Sequence, residues 1–210
     1  MSDLRLTFGS RWYAFLWSRL GAGVDRLASE LKDAVLVDMP DTIVEVGAGR
    51  GANFRRYPTG GRVIAFEPNR HMHDSLRRAA SHLGLDLDLR GTGAESLDLP
   101  DGSQEVVVST LTLCSVADPT RAISEIRRVL RSGGRFLFIE HIAGEPGSRL
   151  ARQQRLMRVP WGLVGDRCDL LAETHHLIER AGFARVDLSI AMLGSRLDPS
   201  RRVVFGSAVR

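Results

Sequence analysis

Lysine is nearly absent from this chain. Lys32 is the only lysine among 29 basic residues, so the basic side chains are almost all arginine. The 210 residues carry a formal net charge of only +4, and no long basic run is interleaved with aromatic residues. This balance gives no argument for nucleic-acid binding, and we interpret the arginine excess as a compositional bias.

Cysteine and long apolar runs are also scarce. The two cysteines, Cys114 and Cys168, do not form the disulfide framework of a secreted protein, so we expect a reduced, cytoplasmic protein. No apolar run reaches the roughly 18–20 residues that a membrane span needs, and we expect neither a span nor a secretory leader. Without repeats or low-complexity linkers, the length suits one domain with a full core.

From residue 42 onward, short apolar runs alternate with segments at helical spacing. Strands are predicted at residues 42–46, 62–66, 85–89, 105–109, 135–139, 183–190 and 202–209, and helices at 52–57, 70–83, 119–131, 149–157 and 170–181. This alternation predicts an α/β fold with a mostly parallel sheet and helices on both faces, and the last two strands are expected to form a hairpin at its edge. Ligands of such sheets bind beyond the carboxyl ends of the strands.

Three glycines follow the first predicted strand in TIVEVGAGRGANF, residues 42–54. The spacing of Gly47, Gly49 and Gly51 fits both the dinucleotide fingerprint and a G-x-G-x-G turn, and either turn lets the backbone approach a ligand closely. Glu67, about twenty residues later at the end of the second strand, can accept two hydrogen bonds from a ribose. Pro58 ends the following helix early, which disfavours a pyrophosphate at its N-terminus. The residues alone indicate a nucleoside cofactor on a Rossmann-like domain.

Four motifs carry a resemblance to a known family: VEVGAGRG, AFEPN, GAESLDLPDGSQEVVVSTLTLCSV and RRVLRSGGRFLFIEH. In this order they resemble the class I S-adenosylmethionine-dependent methyltransferases, over about residues 40–210. GANFRRYP, EHIAGE, the glutamine pair at 153–154 and DRCDL resemble, within that superfamily, the methyltransferase-like alkyl thiol methyltransferases and their bacterial relatives. The resemblance implies a central, mostly parallel seven-stranded sheet with an antiparallel C-terminal strand, and S-adenosylmethionine as the cofactor.

The resemblance also assigns cofactor contacts by position. It implies that the first loop holds the methionine end, that Glu67 takes the ribose hydroxyls, and that the loop after the fourth strand passes under the sulfonium. The cofactor residues that it implies are Glu45, Gly47, Ala48, Gly49, Gly51, Asn53, Glu67, Pro68, Asn69, Gly93, Ala94, Glu95, Thr110 and Leu111. This chain departs from the family in having Glu67 where aspartate is frequent and RSGG in place of RPGG. Animal members carry an N-terminal hydrophobic anchor that we do not find here, so membrane association is not carried over.

The residues that would contact the methyl acceptor are less clearly indicated by the sequence. His141 follows the fifth predicted strand and is the candidate general base, with a structural histidine as the alternative. Cys114, Gln153 and Gln154 are candidate substrate contacts; the alternatives are a small core residue for the cysteine and a solvated helix face for the glutamines. No histidine pair has metal-binding spacing on a helix, so no metal site is predicted.

Residues 1–38 are predicted to form a helical lid on a methyltransferase domain at 39–210. Apolar residues recur at helical spacing through residues 10–37, and the run RWYAFLW gives this helix an aromatic surface. Trp12, Phe15 and Leu16 are the predicted wall of an apolar acceptor site. The alternatives are simple packing on the domain and weak association with a membrane surface.

The leading interpretation is an enzyme that methylates the sulfur of a small, apolar thiol in detoxification or natural-product tailoring. A thiol with a pKa of about 8.5 is already partly ionised at neutral pH, so it needs only modest help from a base. The alternatives are O-, N- or C-methylation of a small molecule, a nicotinamide-dependent oxidoreductase, and a non-catalytic binding protein.

Overall fold

The computed structural model of this chain describes residue 23, residues 25–164 and residues 167–210, without the side chains of residues 163 and 164. Trp12, Phe15 and Leu16 therefore lie outside the described residues, as does most of the helix predicted at 10–37.

Seven strands and five α-helices lie in the described part of the chain. The strands are β1 Thr42–Val46, β2 Arg62–Phe66, β3 Asp86–Arg90, β4 Gln104–Thr110, β5 Leu130–His141, β6 Arg185–Met192 and β7 Arg202–Val209. The helices are α1 Ser29–Val35, α2 His73–Leu83, α3 Pro119–Val129, α4 Arg149–Val164 and α5 Thr174–Arg180. Short 3₁₀ turns occur at Phe54–Arg56 and Arg70–Met72.

All seven strands belong to one sheet in the order β3-β2-β1-β4-β5-β7-β6. The first five strands pair in parallel, whereas β7 lies antiparallel between β5 and β6. The predicted mostly parallel sheet with an antiparallel C-terminal strand is confirmed, and the last two strands form the expected hairpin. The carboxyl ends of the five parallel strands consequently meet at one edge, where a ligand site is expected.

The core is split between the two faces of the sheet. On one face Val44, Phe66 and Val107 pack with Ile123 and Ile126 of α3. On the other face Ile43, Val63 and Val106 pack with Leu76 and Ala80 of α2. Because successive side chains of a strand point to opposite faces, the apolar runs of β1, β2 and β4 supply both clusters. The strand ends that carry the loops are therefore held from both sides.

Some boundaries differ from the predicted ones. Strand β5 begins at Leu130 instead of residue 135, because Leu130 already has extended backbone and pairs with Gln104. For the same reason α3 ends at Val129. Helix α5 begins at Thr174 instead of residue 170, since the preceding residues form a turn in which the Asp169 carboxylate accepts a hydrogen bond from the Leu171 amide. None of the described helices has the length and apolar character needed to cross a bilayer.

Candidate active site

A cavity of about 1520 Å³ opens at the carboxyl ends of the parallel strands. Its wall contains loops that follow β1, β2, β3 and β4, together with the end of β5. Every residue that the resemblance assigned to the cofactor lines this cavity, and so do Cys114 and His141. The predicted cofactor residues and the candidate base thus share one cavity.

The glycine turn after β1 has left-handed backbone at all three glycines. The φ angles are 66° at Gly47, 56° at Gly49 and 77° at Gly51. A Cβ atom at Gly47 would lie 2.2 Å from the Thr112 hydroxyl, and one at Gly51 would lie 2.8 Å from the Phe54 ring. Only glycine adopts such backbone freely, and because these residues have no side chain a ligand in the cavity can approach the main chain of the turn closely.

The Glu67 side chain links this turn to the end of β2 by hydrogen bonds. One carboxylate oxygen accepts a hydrogen bond from the Gly49 amide at 2.8 Å, and the other accepts one from the Asn69 amide at 2.8 Å. A carboxylate oxygen has two lone pairs and can accept more than one hydrogen bond. The side chain therefore fits the ribose contact predicted for it, while it also fixes the shape of the glycine turn.

Glu45 is the centre of a buried polar network beside the turn. Its carboxylate accepts hydrogen bonds from the Asn53 amide at 2.8 Å and the Tyr57 hydroxyl at 2.7 Å. Burial raises the pKa of Glu45 to about 7, although the bonds from Tyr57 and Asn53 lower it. The buried Oδ1 atom of Asn53 has no hydrogen-bond partner among the described residues. This free acceptor next to a carboxylate suits a cationic ammonium group on a ligand.

The loop after β4 holds a leucine in an unusual conformation. Leu111 has a φ of 54°, which is rare for a residue with a branched side chain. Glu140 fixes the loop, since its carboxylate accepts hydrogen bonds from the Ser109 hydroxyl at 2.5 Å and from the Thr112 and Leu113 amides at 2.9 and 3.0 Å. Strained backbone of this kind persists only where the surroundings enforce it and is frequent at functional sites.

Cys114, His141 and Cys168 converge in another part of the cavity wall. One donor atom from each of the three lies within 4.8 Å of the others, and the Cys168 Sγ is 3.5 Å from the His141 Nδ1. His141 is only 1% exposed, and its Nε2 has no partner within the described chain. Contact with Cys168 and burial raise the pKa of the Cys114 thiol well above its ordinary value. Burial lowers the pKa of His141, but contact with Cys114 outweighs it and the net shift is upward.

The structure places Gln153 and Gln154 outside the cavity wall. Gln154 accepts a hydrogen bond from the Gly144 amide at 2.6 Å and donates to the Pro199 carbonyl at 2.9 Å. Gln153 donates to the Leu197 carbonyl at 2.7 Å and accepts from Arg201 at 3.0 Å. Both therefore anchor the loop between β6 and β7, from which Arg201 reaches the cavity.

The place of Lys32, the only lysine of the sequence, in the cavity wall was not predicted. Lys32 is 4% exposed, lines the cavity, and forms a 2.6 Å ion pair with Asp25, which also lines it. The signal was available, because a single lysine in an arginine-rich chain is unusual. Its helical position, however, gave no hint that the side chain points inward, since lysine is rarely buried.

Comparison with known proteins gives the following similarities. A methyltransferase domain family matches residues 44–138. Thiol S-methyltransferase TMT1B of Rattus norvegicus is 37% identical over 165 residues, which are 77% of this chain and 68% of that protein. An S-adenosylmethionine-dependent methyltransferase of Thermotoga maritima, described as a possible histamine N-methyltransferase, aligns with a TM-score of 0.66 at 21% identity over 95% of this chain and 99% of that chain. A geranyl diphosphate methyltransferase in complex with S-adenosylmethionine aligns with a TM-score of 0.67 at 19% identity over 92% of this chain and 89% of that one.

Proposed function

Because this chain belongs to the S-adenosylmethionine-dependent methyltransferases, in the family of the thiol S-methyltransferases, we propose that it methylates the sulfur of a small, apolar thiol. The Rossmann-like class I fold, the enzyme class and the cofactor that were predicted from the sequence are confirmed. The interpretations as an oxidoreductase and as a non-catalytic protein are accordingly set aside. The acceptor and the residues that contact it belong to the proposal.

The residues of the cofactor end fit S-adenosylmethionine. The bare backbone of the glycine turn accommodates a close ligand, Glu67 can accept from the ribose, and Glu45 with Asn53 suits the ammonium of the methionine end. When bound, the cofactor supplies a methyl group on a sulfonium and its own leaving group. The protein then has to align an acceptor with that methyl carbon and keep water out.

The observation that carries the thiol assignment is the buried His141 ring in the cavity wall. A thiol is partly ionised near neutral pH and needs only modest assistance, whereas a phenol or an amine needs a stronger base. Cys114 lines the cavity next to His141, and Trp161, Leu193 and Val203 add apolar surface to it. Arg167, Asp198 and Arg201 line the cavity as well, but the apolar part of the wall suits an apolar acceptor whose sulfur reaches His141. We assign to His141 the task of helping the acceptor to ionise.

We further propose that residues 1–38 act as a lid on the methyltransferase domain at 39–210. Asp25, Leu27 and Ala28 line the cavity, and this supports an approach of the N-terminal segment to the acceptor. Trp12, Phe15 and Leu16 then supply the apolar cover. The lid would exclude water from the reacting sulfur, which methyl transfer requires.

A screen of matched thiol, phenol and amine acceptors tests the proposed function. Formation of S-adenosylhomocysteine is measured for each acceptor with the wild-type protein and with His141→Ala. We expect turnover with apolar thiols and a loss of about ten- to a hundredfold in the variant, which is less than an essential base would give. His176→Ala, which removes an exposed histidine of α5, serves as the control. Turnover with phenols or amines but with no thiol would replace S-methylation by O- or N-methylation.

A further inference from the structure

Two thiols and an imidazole meet in the cavity wall although they are far apart in sequence. Cys114 follows β4, His141 ends β5, and Cys168 precedes α5. Their donor atoms lie within 4.8 Å of one another. We propose that Cys114, His141 and Cys168 are the three protein ligands of a Zn²⁺ site whose fourth position receives the sulfur of the acceptor thiol. This inference rests on the proposed function and specifies how His141 assists the acceptor.

The donor set and its spacing suit zinc. Thiolate and imidazole are the ligands that zinc prefers, and three protein ligands with one open position are typical of a catalytic rather than a structural zinc site. In a tetrahedral site with the usual bond lengths, a sulfur and a nitrogen ligand lie about 3.5 Å apart and two sulfurs about 3.8 Å apart. The separation of Cys168 Sγ from His141 Nδ1 is 3.5 Å. The remaining separations, within 4.8 Å, need only small side-chain rotations.

The two cysteine-bearing loops are fixed against each other. Asp169 is the residue after Cys168, and its amide donates a 2.8 Å hydrogen bond to the Cys114 carbonyl. The Asp169 carboxylate is itself held by Arg158 at 3.0 and 2.9 Å. His141 pairs with Val203 in the sheet, so its backbone is also fixed. A preorganised ligand set of this kind binds a metal more tightly than a set that must be assembled.

The metal would activate the acceptor directly. The acceptor thiol would bind at the open position and lose its proton to solvent, because a coordinating thiol is deprotonated. A lone pair of its sulfur would form the new bond to the methyl carbon, and the pair of the broken carbon–sulfonium bond would stay on the cofactor sulfur, leaving S-adenosylhomocysteine. The neutral thioether product is a weaker ligand than a thiolate and would be released. His141 would then act through the metal instead of taking the proton itself.

Metal analysis of the whole protein tests this site. The chain is purified under reducing conditions, equilibrated with Zn²⁺, freed of excess metal and analysed for zinc by mass spectrometry. We expect about one zinc ion per chain in the wild type and less than about a tenth of that in the double variant Cys114→Ser, Cys168→Ser. His176→Gln, which changes an exposed histidine, should keep the wild-type content. Circular dichroism and S-adenosylmethionine affinity show whether the serine variant remains folded.

Cobalt substitution gives a readout that does not depend on turnover. Co²⁺ bound by two thiolates should show a sulfur-to-metal charge-transfer band that the serine variant lacks, and an acceptor thiol added without cofactor should change this spectrum. A wild-type chain that methylates thiols but retains neither Zn²⁺ nor Co²⁺ would overturn the site and leave the proposed function intact. Stoichiometric zinc without turnover of any thiol would support the site and overturn the thiol assignment.

Discussion

The cofactor end and the acceptor end of the cavity are built by different means. At the cofactor end, the main chain of the glycine turn and two carboxylates, Glu45 and Glu67, form the wall. At the acceptor end, the side chains of Cys114, His141 and Cys168 form it, each from a different element. One end is therefore made of backbone geometry and negative charge, whereas the other is made of thiol and imidazole side chains. The first suits a ligand with fixed cationic groups, and the second suits an apolar nucleophile.

Substitutions at the two ends should therefore affect different properties of the protein. A change in the glycine turn distorts the backbone that every cofactor contact depends on. A change at the acceptor end removes one side chain from a wall that other elements continue to support. We therefore expect the largest losses of cofactor affinity at the turn, and losses at the acceptor end that spare the cofactor.

The largest effect is expected for Gly47→Ala. The added methyl group would lie 2.2 Å from the Thr112 hydroxyl, and the residue would keep a φ of 66°. The clash forces the turn away from Glu67 and the strained φ adds to the cost, so S-adenosylmethionine affinity should fall more than about a hundredfold. Calorimetric titration measures this loss, and circular dichroism checks that the sheet is intact.

Gly60→Ala is the matched control for this variant. Gly60 has a φ of 77° but no atom within 4 Å of an added Cβ, and it lies outside the cavity wall. It shares the backbone strain without the clash, so it should lower stability by about 1 kcal/mol and leave cofactor affinity unchanged. If both variants bind S-adenosylmethionine with the affinity of the wild type, the glycine turn does not contribute to the cofactor site.

The cofactor end could be predicted from sequence because its parts are local. The turn at residues 47–51 follows an apolar strand directly, and Glu67 ends the next strand, so topology alone brings them together. The strands were also predicted to within two residues except at β5, because β-branched runs between turns leave few alternatives. The early start of β5 at Leu130 was not predicted, since residues 119–131 were predicted to be helical.

The acceptor end could not be predicted in the same way. Cys114 and Cys168 meet only because the segment before α5 docks on the loop after β4, and the backbone bond that fixes this docking leaves no pattern in the sequence. The role of Gln154 could not be predicted for a similar reason. Its side chain forms hydrogen bonds with backbone groups of residues 144 and 199, which become neighbours only in the folded chain. Spacing rules describe single elements and do not reach such tertiary contacts.

A second prediction concerns Glu67. Glu67→Ala removes an acceptor for the ribose hydroxyls and releases the Gly49 amide. Hydrogen bonds to a charged group contribute about 1.5–3 kcal/mol each, so the affinity for S-adenosylmethionine should fall at least about tenfold. Glu105→Ala, at an exposed carboxylate paired with Arg131, is the control and should bind normally. Unchanged affinity of Glu67→Ala in calorimetry would refute the ribose assignment.

A third prediction uses an N-terminal truncation to distinguish effects on the acceptor end of the cavity from effects on its cofactor end. Deleting residues 1–18 removes the proposed lid residues Trp12, Phe15 and Leu16 but none of the described cavity wall. The acceptor KM should rise about tenfold or turnover should be lost, because water and the acceptor are no longer confined, whereas cofactor affinity should change less than about twofold. Steady-state kinetics with one good thiol and calorimetry with the cofactor measure the two quantities. Wild-type kinetics in the truncated protein would leave packing as the only role of this segment.

The smallest effect is expected from pH, through Glu45 at the cofactor end. Burial raises its pKa to about 7, so the carboxyl group is mostly neutral below that pH and mostly charged above it. If the ammonium of the methionine end lies beside Glu45, binding favours the charged form and expels the proton. Affinity for S-adenosylmethionine should therefore rise by up to about tenfold between about pH 6 and pH 8. Glu45→Gln should weaken binding and make it less dependent on pH in this range.

Stability of the cofactor-free protein should change with pH in the opposite direction. Because the folded-state pKa of Glu45 lies above its ordinary value of 4.5, its contribution to stability is fully present below that value and is lost as pH rises through about 7. The free energy of unfolding should thus decrease with pH over the range in which cofactor affinity increases, and Glu45→Gln should reduce both slopes. Denaturant titrations at several pH values, with calorimetry at the same values, measure the two trends. Affinity that is independent of pH in the wild type, together with a stability slope that Glu45→Gln reduces, would show that the Glu45 carboxyl group is buried in the fold and does not contact the cofactor.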